Sequence, residues 1–468
     1  MLLSKAFCRF VIWGTILCPV CICAQNKINV PENWTYSSQY QQTMPDEDQW
    51  WAGFNDPLLD TLISLGVRNN YNLSAAAHRI NIASQKLRKI KAGYYPSLGV
   101  SAGWNKSRIS GNTTAHRTKA TTNDYFSTEL NASWEIDLFG RISEQAKEQK
   151  GMWNASRAEY AATMVSLCAN IAQTYIELCT AEVQLGIANA HLKTQGQVLH
   201  ITEVRYETGL SSKLDVAQAA TIYHSTEATI PGLRTRIAVA RNALSVLIGS
   251  VPEDNGVLND TIINIPEYVD PVGIGIPADV IRRRPDIVEA EYNLAAAAAG
   301  VGIAKKDFLP TITINGSIGF DSHKFRDMFS GQSLSYTIAP TISWTIFDGF
   351  ARNANVAAAR ENMLAMIDNY NLTVTTAFEE VENALVTYEQ SKIAFASIKD
   401  VVNASQEAFD LSLDLYKQGL TDFTDVADAQ INLISYSDQL ASAKGEIAKS
   451  LITLYTAIGG GWNPDSLN

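Results

Sequence analysis

Tyr416-Lys417-Gln418-Gly419-Leu420-Thr421-Asp422-Phe423-Thr424-Asp425-Val426-Ala427-Asp428-Ala429-Gln430 lies between two long, Ala-rich stretches of helical period. It has an echo in Tyr206-Glu207-Thr208-Gly209-Leu210-Ser211-Ser212-Lys213-Leu214-Asp215-Val216-Ala217-Gln218. The two match at Tyr, at Gly-Leu and at Asp-Val-Ala, with one constant offset. An offset of some two hundred residues marks a duplicated half rather than a chance motif. The copies differ: Asp422, Asp425 and Asp428 in the second face only Asp215 in the first, and Gln218 stands where Asp428 would be.

Outward from this pair, both halves have one order. In the first, Pro57 opens a short helix, and apolar residues at spacings of three and four (Ala76, Ile80, Ala83, Leu87) predict a second that ends at Gly93 and Pro96. The period then becomes two. Leu98 to Asn105 and Tyr125 to Ile136 alternate apolar with polar residues around a polar loop, which predicts a hairpin of half-buried strands. From Gly140 to about Tyr206 the helical period runs without a proline; at ~1.5 Å per residue that helix is about 100 Å long. No ordinary globule has such a core, so a coiled coil or helical tube is expected. After Gly209 a helix returns, in which Pro231-Gly232 is expected to make a kink or break. The second half repeats this, with strands at Ile312 to Phe320 and Tyr336 to Ile346, and a last helix striped by Val426, Ala429, Leu433, Tyr436, Leu440, Ala443, Ile447, Leu451 and Leu454.

The expected organisation is a signal peptide over 1–24, an extended arm over 25–56, a first repeat over 57–250 and a connector over 251–276. A second repeat over 277–458 and a tail over 459–468 follow. The hairpins fall at about 97–136 and 311–346, and the long helices at about 140–206, 212–248, 350–416 and 422–458. Lys5 and Arg9 before an apolar run, with Ala24 as a cleavage residue, make the start a secretory signal. Cys23 is a candidate lipid anchor, against which the bulky Ile22 before it speaks. Cys168 and Cys179 share one predicted helix too far apart to bridge, and are expected as buried small hydrophobes.

A net charge of −11 without a basic face argues against nucleic acid as partner. No mature stretch is apolar enough for a spanning helix, so the mature chain is either soluble or crosses a membrane as strands. Strands of ~10 residues with one apolar and one Ser/Thr/Asn/Glu/Gly face suit a membrane barrel; two hairpins packed on a soluble core are the alternative. Four strands close no barrel, and in lipid every edge must be paired, so several copies must share one. The expected class is an α+β membrane protein, in which long helical hairpins form a tube and each chain contributes four membrane strands.

At Arg282-Arg283-Arg284-Pro285-Asp286-Ile287-Val288-Glu289-Ala290-Glu291 the chain resembles the TolC-type outer-membrane efflux proteins, in particular their OprM/NodT/CusC branch, the outer-membrane factors of RND efflux. Tyr95-Pro96, Trp134 to Arg141, Arg205-Tyr206, Phe308-Leu309-Pro310, Phe347-Asp348-Gly349 and Asp428-Ala429-Gln430 carry the same resemblance. It implies a homotrimer with a twelve-stranded β-barrel among outer-membrane lipids and a helical tube in the periplasm. It also implies docking to a periplasmic adaptor (membrane fusion) protein and an inner-membrane RND-type transporter, with passive export of drugs, dyes or metal ions. It implies no cofactor and no chemistry.

The resemblance makes Asp425 and Asp428 candidates for carboxylate rings at the pore constriction, with Tyr416 and Tyr206 as candidate clasps. Acids at a helix start also serve as caps, which suits Asp425 and Asp215 better than Asp428. Gly209, Leu210, Gly419 and Leu420 are candidate adaptor contacts, the glycines also being left-handed turn residues. Arg284 and Asp286 are expected to form a structural ion pair. Six scattered histidines and the lack of a nucleophile elbow, P-loop or dinucleotide fingerprint argue against an enzyme. An exit duct of a type I protein secretion system and a soluble periplasmic coiled-coil scaffold are the rival readings.

Overall fold

The computed structural model describes residues 31, 34–35, 49–112, 119–252, 264–278 and 283–462. The signal segment with Cys23, most of the arm expected over 25–56, part of the connector and residues 279–282 of the second repeat, Arg282 among them, lie outside them. The elements are α1 (Pro57–Asn69), α2 (Tyr71–Lys91), β1 (Ser97–Ile109), β2 (Thr121–Ile136), α3 (Arg141–Glu207), α4 (Lys213–Leu247), α5 (Pro285–Lys306), β3 (Thr311–Ser322), β4 (Leu334–Ser343), α6 (Ala351–Lys417) and α7 (Phe423–Ala457). Helices α3 and α6 have 67 residues each, about 100 Å at ~1.5 Å per residue.

Local chemistry starts the helices. Asp56 accepts hydrogen bonds from the Leu58 and Leu59 amides before α1, and Asn70 accepts from Asn72 and Leu73 before α2. Gly140, at φ 75°, turns the chain from strand into α3, and the Asp137 carboxylate accepts from the Ile142 and Ser143 amides.

Two main packing nodes, beside two small ones around Trp462 and Ile287, hold the described chain. The larger lies at mid-height, where Leu59, Leu62 and Ile63 of α1, Tyr175 to Cys179 of α3, Leu385 of α6 and Leu451 to Tyr455 of α7 meet. Trp34, Trp50 and Phe54 pack into it, with Trp50 stacked on Tyr455 at 5.7 Å. Cys168 and Cys179 are buried, free thiols here; burial pushes the Cys168 thiol up to about 12. The smaller node sits at the far end of the long helices, around Phe409, Tyr416, Phe423 and Val426. Arg284, nearly buried, pairs with Asp286 and Glu380 at 2.7 Å each and donates to the Ala457 carbonyl at 2.8 Å.

Three details depart from the sequence expectation. Helix α4 runs unbroken through Pro231. Proline removes a single ladder donor, and α4 packs along its length on α3, which holds the helical path. Strand β4 stops at Ser343 although the alternation continues to Ile346, because its last pairing partner is Thr311 and Pro310 before that residue offers no amide; beyond it the Arg352 guanidinium takes the Thr345 carbonyl. In α7 the buried residues between Leu433 and Leu451 are Ala441, Gly445, Ala448 and Ser450, beside the expected stripe of larger residues. A Cβ on Gly445 would sit 2.3 Å from Thr180 Oγ1, so the small residues let α7 approach α3 closely.

Candidate functional site at the sheet and the helical tips

The four strands form one antiparallel sheet in the order β1-β2-β3-β4. Its register aligns Val100, Leu130, Ile318 and Tyr336 in a single row across all strands. The next row is Gly99, Asn131, Ser317 and Thr337. Because side chains alternate, the first row and its relatives (Leu98, Trp104, Ile338, Ile342) make one continuous apolar face, and the second row belongs to a polar one. Val100 and Ile338 are more than 70% exposed (78% and 75%), a degree that water would penalise and lipid would not. The polar face cups a groove of about 450 Å³ lined by Ser97, Asn131, Ser133, Asn315 and Thr337. Its polar groups satisfy one another: Asn131 Nδ2 donates to Ser101 Oγ at 3.0 Å, and Ser133 Oγ donates to Asn315 Oδ1 at 2.8 Å. No described helix is long and apolar enough to cross a membrane, which leaves the sheet as the apolar surface in question.

At the helix-joined end of the sheet, Trp134 Nε1 donates to the Tyr94 carbonyl at 3.0 Å, and Trp344 Nε1 donates to the Phe308 carbonyl at 2.9 Å. Each indole thus keeps a polar tip on the chain and an exposed apolar ring beside the sheet, the usual behaviour of aromatics at a membrane boundary. β1 and β4 are the outer strands, and each has one edge with no partner strand among the described residues.

The far ends of the long helices carry the duplicated motif. Gly209 at φ 75° and Gly419 at φ 74° occupy the left-handed region, which only glycine enters freely. Leu210 N donates to Arg205 O at 2.7 Å, and Leu420 N donates to Leu415 O at 3.0 Å, closing the same C-terminal turn twice. Leu210 and Leu420 then point to solvent. The helices that follow begin differently. Ser212 and Asp215 form a reciprocal capping box at the start of α4. Asp422 precedes α7 without any side-chain cap, and Asp425 instead accepts a hydrogen bond from the Thr421 hydroxyl. Asp428, one turn in, is exposed and has no hydrogen bond or ion pair among the described residues. Capping therefore accounts for Asp215 and leaves Asp428 without a structural role inside one chain.

The tyrosines separate as well. Tyr206 is exposed, whereas Tyr416 is buried against Phe423, with ring centroids 5.3 Å apart. Arg205 covers the Tyr416 ring and donates through Nη1 to the Lys417 carbonyl at 3.0 Å, tying the first tip to the second. This arginine stands out in the sequence only as the residue before Tyr206; its reach into the other repeat is a tertiary fact.

The outer membrane efflux protein family matches residues 62–250 and 276–460, one segment in each repeat. The chain is 30% identical over 440 residues to the cation efflux system protein CusC of Escherichia coli O6:H1, covering 92% of this chain and 93% of that protein. It is 28% identical over 465 residues to the antibiotic efflux pump outer membrane protein ArpC of Pseudomonas putida, covering 98% and 96%. Among solved structures it is similar to the outer-membrane channel OprN, with a TM-score of 0.86 and 28% identity over 94% of this chain and 99% of that one. The open state of the Neisseria gonorrhoeae MtrE outer membrane channel gives 0.83 and 27% over 93% and 97%. With apolar strands at one end, duplicated helical tips at the other and both repeats matched, the chain belongs to the outer membrane efflux protein family and is an outer-membrane efflux channel of the OprM/CusC/NodT type.

Proposed function

We propose that three copies of this chain form the passive exit duct of a tripartite efflux system. The observation that carries this reading is the four-stranded sheet with apolar outward and polar inward rows and an unpaired edge on each side. In lipid such edges must be covered, and β1 of one copy against β4 of the next does so; three copies give twelve strands. The polar rows then line the duct, and α3, α4, α6 and α7 continue it as a periplasmic tube. The exposed Leu210 and Leu420 tips meet a periplasmic adaptor, which connects the duct to an inner-membrane RND-type transporter. Asp425 and Asp428 ring the narrow end and Tyr206 flanks it, while the buried Tyr416 shapes the tip from inside. The first repeat, with a capped Asp215, supports the constriction that the second carries.

The chain acts as a conduit and not as an enzyme. Its cargo is small molecules of the kind its relatives' names mention, antibiotics or cations. Native mass spectrometry of the detergent-extracted protein, followed by planar-bilayer recording, tests this. A trimer that conducts is expected. A monomer, or a protein that stays in the aqueous phase without detergent and never conducts, overturns it.

A further inference from the structure

The acidic chain segregates its charge. Between Asp60 and Asp124 it carries no Asp or Glu at all, but ten Lys and Arg. Four of these, Lys86, Arg88, Lys89 and Lys91, lie in the last two turns of α2. All four are exposed, and among the described residues none makes an ion pair or hydrogen bond to another side chain. Cations favour a helix C-terminus, which explains one or two of them. It explains neither the absence of any acid across the whole segment nor the exposed aromatics beside it. Tyr94 and Tyr95 stand directly after the helix, both exposed, and Leu98 and Val100 of the apolar sheet face come next. Arg88 to Lys91 therefore sit within about 22 Å of chain from Leu98, at ~1.5 Å per helical residue up to Tyr94 and ~3.3 Å per extended one beyond it. The second repeat lacks this arrangement. Of its equivalents at the end of α5, Lys306 is used internally, donating to the Gly140 carbonyl at 2.9 Å and to Glu144 at 3.0 Å.

We propose that Arg88, Lys89 and Lys91, with Tyr94 and Tyr95, bind the headgroups of anionic glycerophospholipids in the periplasm-facing leaflet. Apolar strand, aromatic ring and free cation succeed one another in the order acyl chain, glycerol backbone and phosphate. Long Lys and Arg side chains keep their stems on apolar surface while the charge reaches a phosphate. Lys86 lies a turn further from the membrane and adds to the field without direct contact. The hairpin end of β1 and β2 also carries cations, Lys106 and Arg108 on β1 and Lys119 just before β2, but these lie on the other side of the bilayer. The inference rests on the outer-membrane placement of the strands.

The test uses the purified full-length protein in detergent with defined mixtures of phosphatidylglycerol and phosphatidylethanolamine. Bound lipid is counted by native mass spectrometry, and channel activity is recorded on the same preparations. The wild type should retain phosphatidylglycerol over phosphatidylethanolamine, with a preference that falls as salt rises. Each cation near an anionic surface is worth about a fivefold change in partitioning, so Arg88→Gln/Lys89→Gln/Lys91→Gln should weaken retention at least about tenfold. The charge-conserving Arg88→Lys/Lys89→Arg/Lys91→Arg and the far-side Lys106→Gln/Arg108→Gln/Lys119→Gln should keep it. Equal retention by the triple Gln variant, equal loss in the far-side variant, or a salt-independent wild type overturns the proposal. The salt titration decides the matter even where the triple variant does not assemble. A protein that conducts but shows no preference sinks this inference alone; one that neither inserts nor conducts sinks the placement beneath it.

Discussion

The guanidinium of Arg205 lies 4.8 Å over the ring of Tyr416, joining the tip of the first helical hairpin to the tip of the second. The same side chain donates to Lys417 O, while the buried Tyr416 hydroxyl has no hydrogen-bond partner among the described residues. The tie is therefore made by the ring and the backbone, and two variants should separate. Arg205→Ala is expected to loosen the tip by about 1–2 kcal/mol, combining a cation–π contact and a charged hydrogen bond. Single-channel recordings should show larger or more frequent openings. Tyr416→Phe keeps the ring and removes an unsatisfied hydroxyl, so conductance and stability should stay within about 0.5 kcal/mol of wild type. Opening by Tyr416→Phe with no effect of Arg205→Ala would reverse this assignment.

Asp428 has no partner among the described residues of one chain, whereas Asp425 is held by Thr421. Asp428→Asn should lower the cation preference of the channel and weaken block by multivalent cations, because a ring of three carboxylates becomes neutral. Asp425→Asn should do the same and also destabilise the start of α7 by about 0.3–1 kcal/mol. A reversal potential in a salt gradient that is unchanged in both variants leaves no ring at the constriction.

Leu210 and Leu420 are about two-thirds exposed (66% and 68%) and touch no core. Leu210→Ser/Leu420→Ser should therefore leave stability within about 0.5 kcal/mol per site, as ordinary surface changes do. Binding to the cognate periplasmic adaptor, measured by surface plasmon resonance, should fall roughly tenfold if these side chains are apolar anchors. Undiminished binding would place the adaptor elsewhere.

Gly445 stands where α7 meets Thr180 of α3. Gly445→Ala places a methyl against Thr180 Oγ1 and should cost about 1–3 kcal/mol by overpacking. Thr180→Ala removes that oxygen, so the double variant should recover much of the loss. Additive losses in a denaturation cycle would mean that the two positions do not meet.

Glu144 is pushed up by burial but pulled down further by hydrogen bonds from Lys147 and Lys306, with a net position below the ordinary value of 4.5. A carboxyl lowered by folding stabilises the fold above its unfolded value, and that contribution disappears as pH falls through the folded one. Wild-type thermal stability should thus drop more than that of Glu144→Gln as the pH falls below about 5. Parallel curves for the two proteins would remove Glu144 from the acid response.

Periodicity carried most of the architecture. The change from period 3.6 to period 2 and back located the helices and strands, since each period reflects which face of an element must leave water. The left-handed turns at Gly209 and Gly419 were legible because only glycine suits them. Periodicity could not tell that α4 survives Pro231, or that α7 buries Ala441, Gly445 and Ala448 more deeply than Tyr436 or Leu440. Those outcomes depend on a neighbouring helix, and a one-dimensional pattern contains no neighbour.

The duplicated tip divides in the same way. By itself the sequence determined that two tips exist, that each turns at a glycine, and that the second carries more acids. Only the tertiary structure decided that Ser212 and Asp215 cap one helix, that Asp422 caps nothing, and that Tyr416 is buried under Arg205 from the opposite repeat. Turns and acid counts are local, fixed by backbone sterics and side-chain type. A contact such as Arg205 with Tyr416 spans two repeats, and it forms because the helices α3 and α6 carry both residues to the same end of the molecule.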